Sequence, residues 1–186
     1  SMGALEHLFT RLKIAQSDDT VTTIAFCTTS DPSDNELANL AEGMGIATFR
    51  GEETNVLKRI SLALNKFKNH DVTLRITGDD ILCDSEYLKK TIDYHCQHGA
   101  DYTDAKALPS GTEVEVFQSS VMRYILSTSS DSSGTEYLTN YVTDNTHLFN
   151  CLSLPVPDKH CIDARLTLDT AEDYEVISGL IDHMGS

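Results

Sequence analysis

The chain has 186 residues, enough for one domain with a buried core. Its 29 acidic side chains against 14 basic ones give a formal charge of −15. That balance argues against a nucleic-acid backbone as partner, because phosphate contacts need a basic face. Only 40% of the residues are apolar, and no apolar run is long enough to span a bilayer, so no membrane partner is expected.

No basic, then apolar, then small-residue start marks an export signal. Ser1 ahead of Met2 reads as a cloning remnant, as does part of His183-Met184-Gly185-Ser186. The five cysteines, Cys27, Cys83, Cys96, Cys151 and Cys161, are odd in number and lack CxxC spacing. This disfavours a disulfide framework or a structural zinc site and fits reduced, mostly buried thiols in a cytoplasm.

In chain order, Leu5, Leu8 and Leu12 recur at helical spacing and predict a helix over 4–16. The β-branched run from Thr20 to Thr28 predicts a strand closed by Thr29-Ser30-Asp31-Pro32. A helix opens at Asp34-Asn35-Glu36 and stops near Gly45. A short strand follows over Ile46 to Phe49, then a helix marked by Val56, Leu57, Ile60, Leu64 and Phe67. Val72 to Thr77 predicts a buried strand that ends at Gly78-Asp79-Asp80. Residues 85–98 read as a helix with Asp84 or Ser85 as cap and Gly99 as stop.

Strands alternating with helices of this length predict right-handed βαβ units on a parallel sheet, an α/β doubly wound fold. The second half reads differently. Gly111 to Gln118 alternates like a half-exposed strand, and 119–127 and 135–149 read as helices flanking the polar loop Ser127 to Gly134. Phe149 to Leu154 and Ala164 to Leu168 read as strands, and Ala171 to Ile181 as a closing helix. The whole of 1–186 is read as one domain, with 105–163 an insertion over the carboxyl edge of the sheet.

In an open α/β sheet, ligands bind beyond the carboxyl ends of the strands. Asp79, after Gly78, and Asp169, after Leu168, both fall there. Two such carboxylates make a hard oxygen site suited to Mg²⁺, and Gly78 lets a ligand approach the backbone. The competing reading is that each Asp is a turn former or cap, with Glu172 completing a capping pair after Asp169. No histidine pair, catalytic triad, GxGxxG or phosphate loop is recognisable by spacing.

Taken together, several stretches resemble the cytidylyltransferases of the spore-coat polysaccharide type, relatives of the CMP-KDO and CMP-sialate synthetases. They are Leu40-Ala41-Glu42-Gly43-Met44-Gly45 through Phe49-Arg50-Gly51-Glu52, then Asn55-Val56-Leu57-Lys58-Arg59, and Leu74-Arg75-Ile76-Thr77-Gly78-Asp79. Ile81-Leu82-Cys83-Asp84, Gly99-Ala100-Asp101-Tyr102, and Pro109 with Gly111 through Phe117 continue the match. Arg165-Leu166-Thr167-Leu168-Asp169-Thr170-Ala171-Glu172-Asp173 completes it. The resemblance implies a Rossmann-like nucleotide-diphospho-sugar transferase fold, with a mostly parallel sheet and helices on both faces. It implies transfer of CMP from CTP to a sugar for surface polysaccharide synthesis, with Mg²⁺ as cofactor and a homodimer as the assembly. By carry-over, Asp79 and Asp169 are the metal ligands, and Gly78, Gly111, Glu113 and Glu115 border the substrate. Arg50 and Arg75, in matched segments, are read as structural.

The chain also departs from the resemblance. Family members begin with a strand in the middle of the sheet and a Gly/Arg/Lys loop that grips the triphosphate, and this sequence shows neither. Asn55 replaces an acid, Asp80-Ile81 replaces a small residue and proline, and Thr135-Glu136-Tyr137-Leu138-Thr139 matches only in part. The expectation is a truncated or degenerate family member of low activity. The alternative is a non-catalytic sugar-, nucleotide- or protein-binding α/β domain.

Overall fold

A computed structural model describes residues 3–17, 19–67, 70–128 and 137–184. Most of the polar loop before Gly134, the partial match at Thr135-Glu136 and both chain ends lie outside the described residues. The first helix, α1 (Ala4–Ser17), is followed by strand β1 (Ala25–Thr29), α2 (Asn35–Gly43) and β2 (Ala47–Gly51). Next come α3 (Val56–Lys66), β3 (Val72–Arg75), α4 (Ser85–His98) and β4 (Tyr102–Asp104). The chain closes with β5 (Glu115–Gln118), α5 (Ser119–Thr128), α6 (Tyr137–Asp144), β6 (Cys151–Ser153) and α7 (Ala171–Met184). The α/β expectation holds.

Local chemistry sets many of these boundaries. The Asp84 side chain accepts hydrogen bonds from the backbone N–H groups of Glu86 and Tyr87, satisfying two orphan donors at the start of α4. Gly99 ends that helix in the left-handed region, at φ 56°. The first strand begins later than the β-branched run, because Val21 donates to the Ala15 carbonyl and its segment serves to leave α1. Helix α6 stops at Asp144, where the Asn145 amide donates back to the Tyr141 carbonyl.

The strands form two sheets. β1 pairs in parallel with β2, and a four-stranded sheet has the order β3-β5-β4-β6. β4 and β6 are parallel, while β5 runs antiparallel between β3 and β4. This corrects the reading of 105–163 as an insertion over the edge: it supplies β5, in the middle of the sheet, and β6, at its margin. Pairing of Leu74 with Val116 and of Thr103 with Val116 fixes the register. Among the described residues, the segment 164–168 makes one bridge, Ser110 with Arg165, rather than a strand.

Alternation along β5 defines the two faces. Val116 packs into a cluster with Leu8 of α1, Leu88 of α4 and Ile177 of α7. Phe117, one residue on, packs with Leu57 of α3, Val121 and Ile125 of α5, and Val142 of α6. Helices therefore cover both faces of the four-stranded sheet. Both residues are 0% exposed, which makes β5 the spine of the core.

Candidate functional site

Between β1 and β3 lies a cleft of about 1120 Å³. Leu8 and Leu12 of α1 and Ile60 and Leu64 of α3 line it, together with residues of both strands. At one end its wall includes Gly78, Asp79 and Asp169. Two segments about 90 residues apart in the chain, Gly78-Asp79 and Asp169, thus share one cleft.

A short turn after β3 places the first acid. Asp80 N–H donates to the Thr77 carbonyl at 3.2 Å, and the Thr77 hydroxyl donates to the Asp80 carboxylate at 2.6 Å. A side chain at Gly78 would meet nothing within 4 Å, so its backbone is open to close approach. Burial pushes the Asp80 carboxyl up to about 6 against the opposing Thr77 bond, and the charges of Asp79 and Glu113 push the same way.

The second acid is brought in by backbone pairing. Leu168 N–H donates to the Asp79 carbonyl at 3.0 Å, which ties the two acidic segments together. The Asp169 carboxylate takes a bond from the Thr167 hydroxyl at 3.0 Å and an ion pair from Arg165. Arg165 also pairs with Asp173 at 2.9 Å. Asp173 accepts from the N–H groups of Asp169 and Thr170, while its own N–H donates to the Thr170 hydroxyl. The cap of α7 is thus Thr170 with Asp173 as its reciprocal partner, not Asp169 with Glu172. Capping falls to Thr170 and Asp173, and the Asp169 side chain stands half-exposed.

Gly111, Glu113 and Glu115 do not border the cleft. Gly111 has φ +93°, and a methyl group there would lie 2.5 Å from the Leu166 carbonyl oxygen. Its bare backbone lets the 110 turn pack against residues 164–168, where Leu166 N–H donates to the Ser110 carbonyl at 2.6 Å. Glu113 turns back to accept the N–H groups of Gly111 and Thr112. Glu115 is nearly buried and fully engaged: it pairs with Arg75 at 2.8 Å, and the Tyr102 and Thr139 hydroxyls donate to it at 2.8 and 2.9 Å. Burial, with Glu115 beside it, pushes the Tyr102 hydroxyl far above its usual range.

Arg50 is likewise structural. Its guanidinium donates to the carbonyls of Thr29 and Asp31 and to the Asn35 side chain, closing the turn beyond β1 and β2. Arg59, on the cleft wall, donates to the Glu52 carbonyl, while its buried Nε has no hydrogen-bond partner among the described residues. Nothing in the sequence pattern singled that group out.

The donor set at the cleft end fits a hard divalent cation in part. Asp79 and Asp169 offer carboxylate oxygens, and Mg²⁺ commonly takes one or two carboxylates and completes its shell with water and phosphate. Among the described residues, no group of three or more His, Cys, Asp or Glu side chains is arranged to hold a metal on its own. A cation here would need oxygens from a ligand.

Comparisons with known proteins bear on the family and the fold. A family model described as cytidylyltransferase matches residues 5–178. An uncharacterised protein of Methanocaldococcus jannaschii is 32% identical over 180 residues, covering 96% of this chain and 72% of that protein. The spore coat polysaccharide biosynthesis protein SpsF of Bacillus subtilis is 31% identical over 159 residues, covering 82% of this chain and 66% of its own length. A solved cytidylyltransferase from Leptospira borgpetersenii superposes with a TM-score of 0.84 at 26% identity, covering 97% of this chain and 76% of that one.

Proposed function

The chain belongs to the cytidylyltransferase family, and from that premise we propose that it binds CTP at the acidic end of the cleft for transfer to a sugar. The observation that carries this reading is the hydrogen bond from Leu168 N–H to the Asp79 carbonyl, which draws Asp79 and Asp169 to one open end of the cleft. In the transfer, a sugar hydroxyl oxygen bonds to the α-phosphorus, the α–β phosphoanhydride breaks, and pyrophosphate leaves. When bound, Mg²⁺ would be held by Asp79 and Asp169 and would screen the phosphate charges. Gly78 leaves the backbone clear for the nucleotide.

The likeness to a spore-coat polysaccharide protein supports a sugar acceptor destined for a surface polysaccharide. Residues 110–113 brace the 164–168 segment and so position Asp169 from behind.

Turnover by the described residues alone is expected to be low. The arginines along the cleft wall are Arg59 and Arg75. Arg75 is committed to Glu115, and Arg59 reaches toward backbone carbonyls. Neither is placed as a triphosphate grip, and donors aimed at developing charge supply much of the rate in such reactions. The test is pyrophosphate release from CTP, Mg²⁺ and a panel of sugar acids. The reading expects slow release that needs both Mg²⁺ and a sugar, whereas release no faster than background with nucleotide bound would reduce the function to binding without transfer.

Two subsidiary readings accompany this one. The five free thiols support a reducing, cytoplasmic setting. Exposed Tyr124, Leu148 and Ile162 in the 105–163 region support a homodimer contact there. Sedimentation showing only monomer at high micromolar concentration would remove the dimer.

A further inference from the structure

We propose that Arg165 is a built-in counter-ion of Asp169, which keeps a bare divalent cation off the acidic end of the cleft and admits one that arrives with a phosphate-bearing ligand. The inference rests on the reading of Asp79 and Asp169 as the cation's carboxylates and names the residue that governs them. Its starting point is the ion pair between Arg165 and Asp169, one of the two acids on the cleft wall.

The guanidinium does not need Asp169 in order to be held. Its Nη1 donates to Asp173 Oδ1 at 2.9 Å and its Nη2 to Asp173 Oδ2 at 3.3 Å, a forked pair. Asp173 is itself fixed: the N–H groups of Asp169 and Thr170 donate to its Oδ2 at 3.0 and 2.8 Å, and its side chain is only 15% exposed. The contact with Asp169 is different. Only Nη2 reaches it, and only at Oδ2, which the Thr167 hydroxyl shares at 3.0 Å. Among the described residues nothing donates to Oδ1.

Stability does not account for that second contact. Arg165 and Asp169 each expose about half of their side chains, and exposed ion pairs contribute little to folding. The Asp169 segment is already tied down by Leu168 N–H on the Asp79 carbonyl. What the contact changes is charge. A guanidinium one carboxyl group away repels any cation that takes Oδ1. A charge within about 4–6 Å alters the affinity for a proton by about one to three powers of ten. A divalent cation feels a larger force than a proton, and half-exposure screens it, so a tenfold effect is the expected scale.

The fold supplies little to outweigh that repulsion. Among the described residues, no group of three or more His, Cys, Asp or Glu side chains gathers here to hold a metal. The missing oxygens come with phosphate, whose negative charge also faces the guanidinium. A metal–nucleotide complex is therefore accepted where a bare cation is discouraged.

The test titrates Mn²⁺, a paramagnetic stand-in for Mg²⁺, into the protein without nucleotide and reads free Mn²⁺ by electron paramagnetic resonance. Arg165→Gln removes the charge and keeps a polar side chain, and it should bind Mn²⁺ at least tenfold more tightly than the parent. The gain should vanish when Asp169→Asn is added, a coupling that loss of a brace does not produce. Arg165→Lys, which retains the charge, should stay close to the parent. The calorimetric affinity for preformed Mn²⁺–CTP should change far less than that for Mn²⁺ alone. If Arg165→Gln does not fold, as judged by its Tm, Arg165→Met takes its place.

Unchanged or weaker Mn²⁺ binding by the uncharged variant would overturn the proposal. So would an equal gain in Arg165→Lys, an equal gain for Mn²⁺–CTP, or a gain that survives Asp169→Asn. Asp169→Asn alone separates these failures from failure of the site. If it weakens Mn²⁺–CTP binding while Arg165→Gln gives no gain, the counter-ion falls and the site stands. If Mn²⁺–CTP binding ignores Asp169→Asn, the acidic end is not the cation site and both readings fall.

Discussion

Two acidic regions of this molecule do opposite work. Glu115 lies among Arg75, Tyr102 and Thr139, with its side chain 13% exposed and its oxygens fully used. Asp169 keeps its side chain 51% exposed at the end of the cleft, where its segment is anchored through backbone pairing to Asp79. A carboxylate whose partners all come from the fold serves stability. The half-exposed Asp169 carboxylate takes its two partners from the fold, the Thr167 hydroxyl and Arg165, on one oxygen alone, and the other oxygen is left for a ligand. The difference lies in which atoms are tied down, not in residue type.

The largest effect that sharpens this contrast is Glu115→Ala. It removes the carboxylate that Arg75, Tyr102 and Thr139 share, leaves two hydroxyls without that acceptor in a nearly buried setting, and should cost about 3 kcal/mol in urea unfolding. Asp169→Asn should leave the unfolding midpoint near that of the parent while weakening Mg²⁺-dependent nucleotide binding. Equal losses from the two substitutions would erase the distinction.

Next is Gly111→Ala, which combines a positive φ with a methyl group 2.5 Å from the Leu166 carbonyl oxygen. It should cost about 2–3 kcal/mol in the same assay and loosen the 164–168 segment. Smaller again is Asp84→Ala, which removes two bonds to the start of α4 and should cost about 1 kcal/mol.

The acidic end should also leave a pH signature. The folded Asp80 carboxyl is pushed up to about 6 by burial, above the unfolded value of about 3.9. Its contribution is fully present below about pH 4 and is lost as pH rises through about 6. Asp80→Asn should flatten that part of the stability curve in thermal melts between pH 4 and 7. An unchanged slope would mean that Asp80 titrates alike in both states.

The contrast also explains what was legible in the sequence. Local signals were strong: Asp84 as a cap, Gly99 as a stop, and Gly78-Asp79 at the end of a strand each follow from neighbours a few residues away. The α/β class followed from alternating periodicities. The Glu115 network was not legible, because its partners lie 13, 24 and 40 residues off, which no spacing rule reveals; its place beside the substrate was implied by the resemblance alone. β4 went unseen for a similar reason. Three residues, Tyr102–Asp104, are too short to show alternation, and their strand character comes from pairing with β5 and β6. The antiparallel entry of β5 was hidden too, since the periodicity of a strand carries no direction.

The most direct test of the central claim is calorimetric titration of CTP, with and without Mg²⁺, into the parent protein and Asp79→Asn. The account predicts Mg²⁺-dependent binding that weakens at least tenfold in the variant, while the Tm of the variant stays close to the parent's. Binding indifferent to Mg²⁺ and to the substitution, or no binding at all, would contradict the assignment of the Asp79–Asp169 end of the cleft as the nucleotide site.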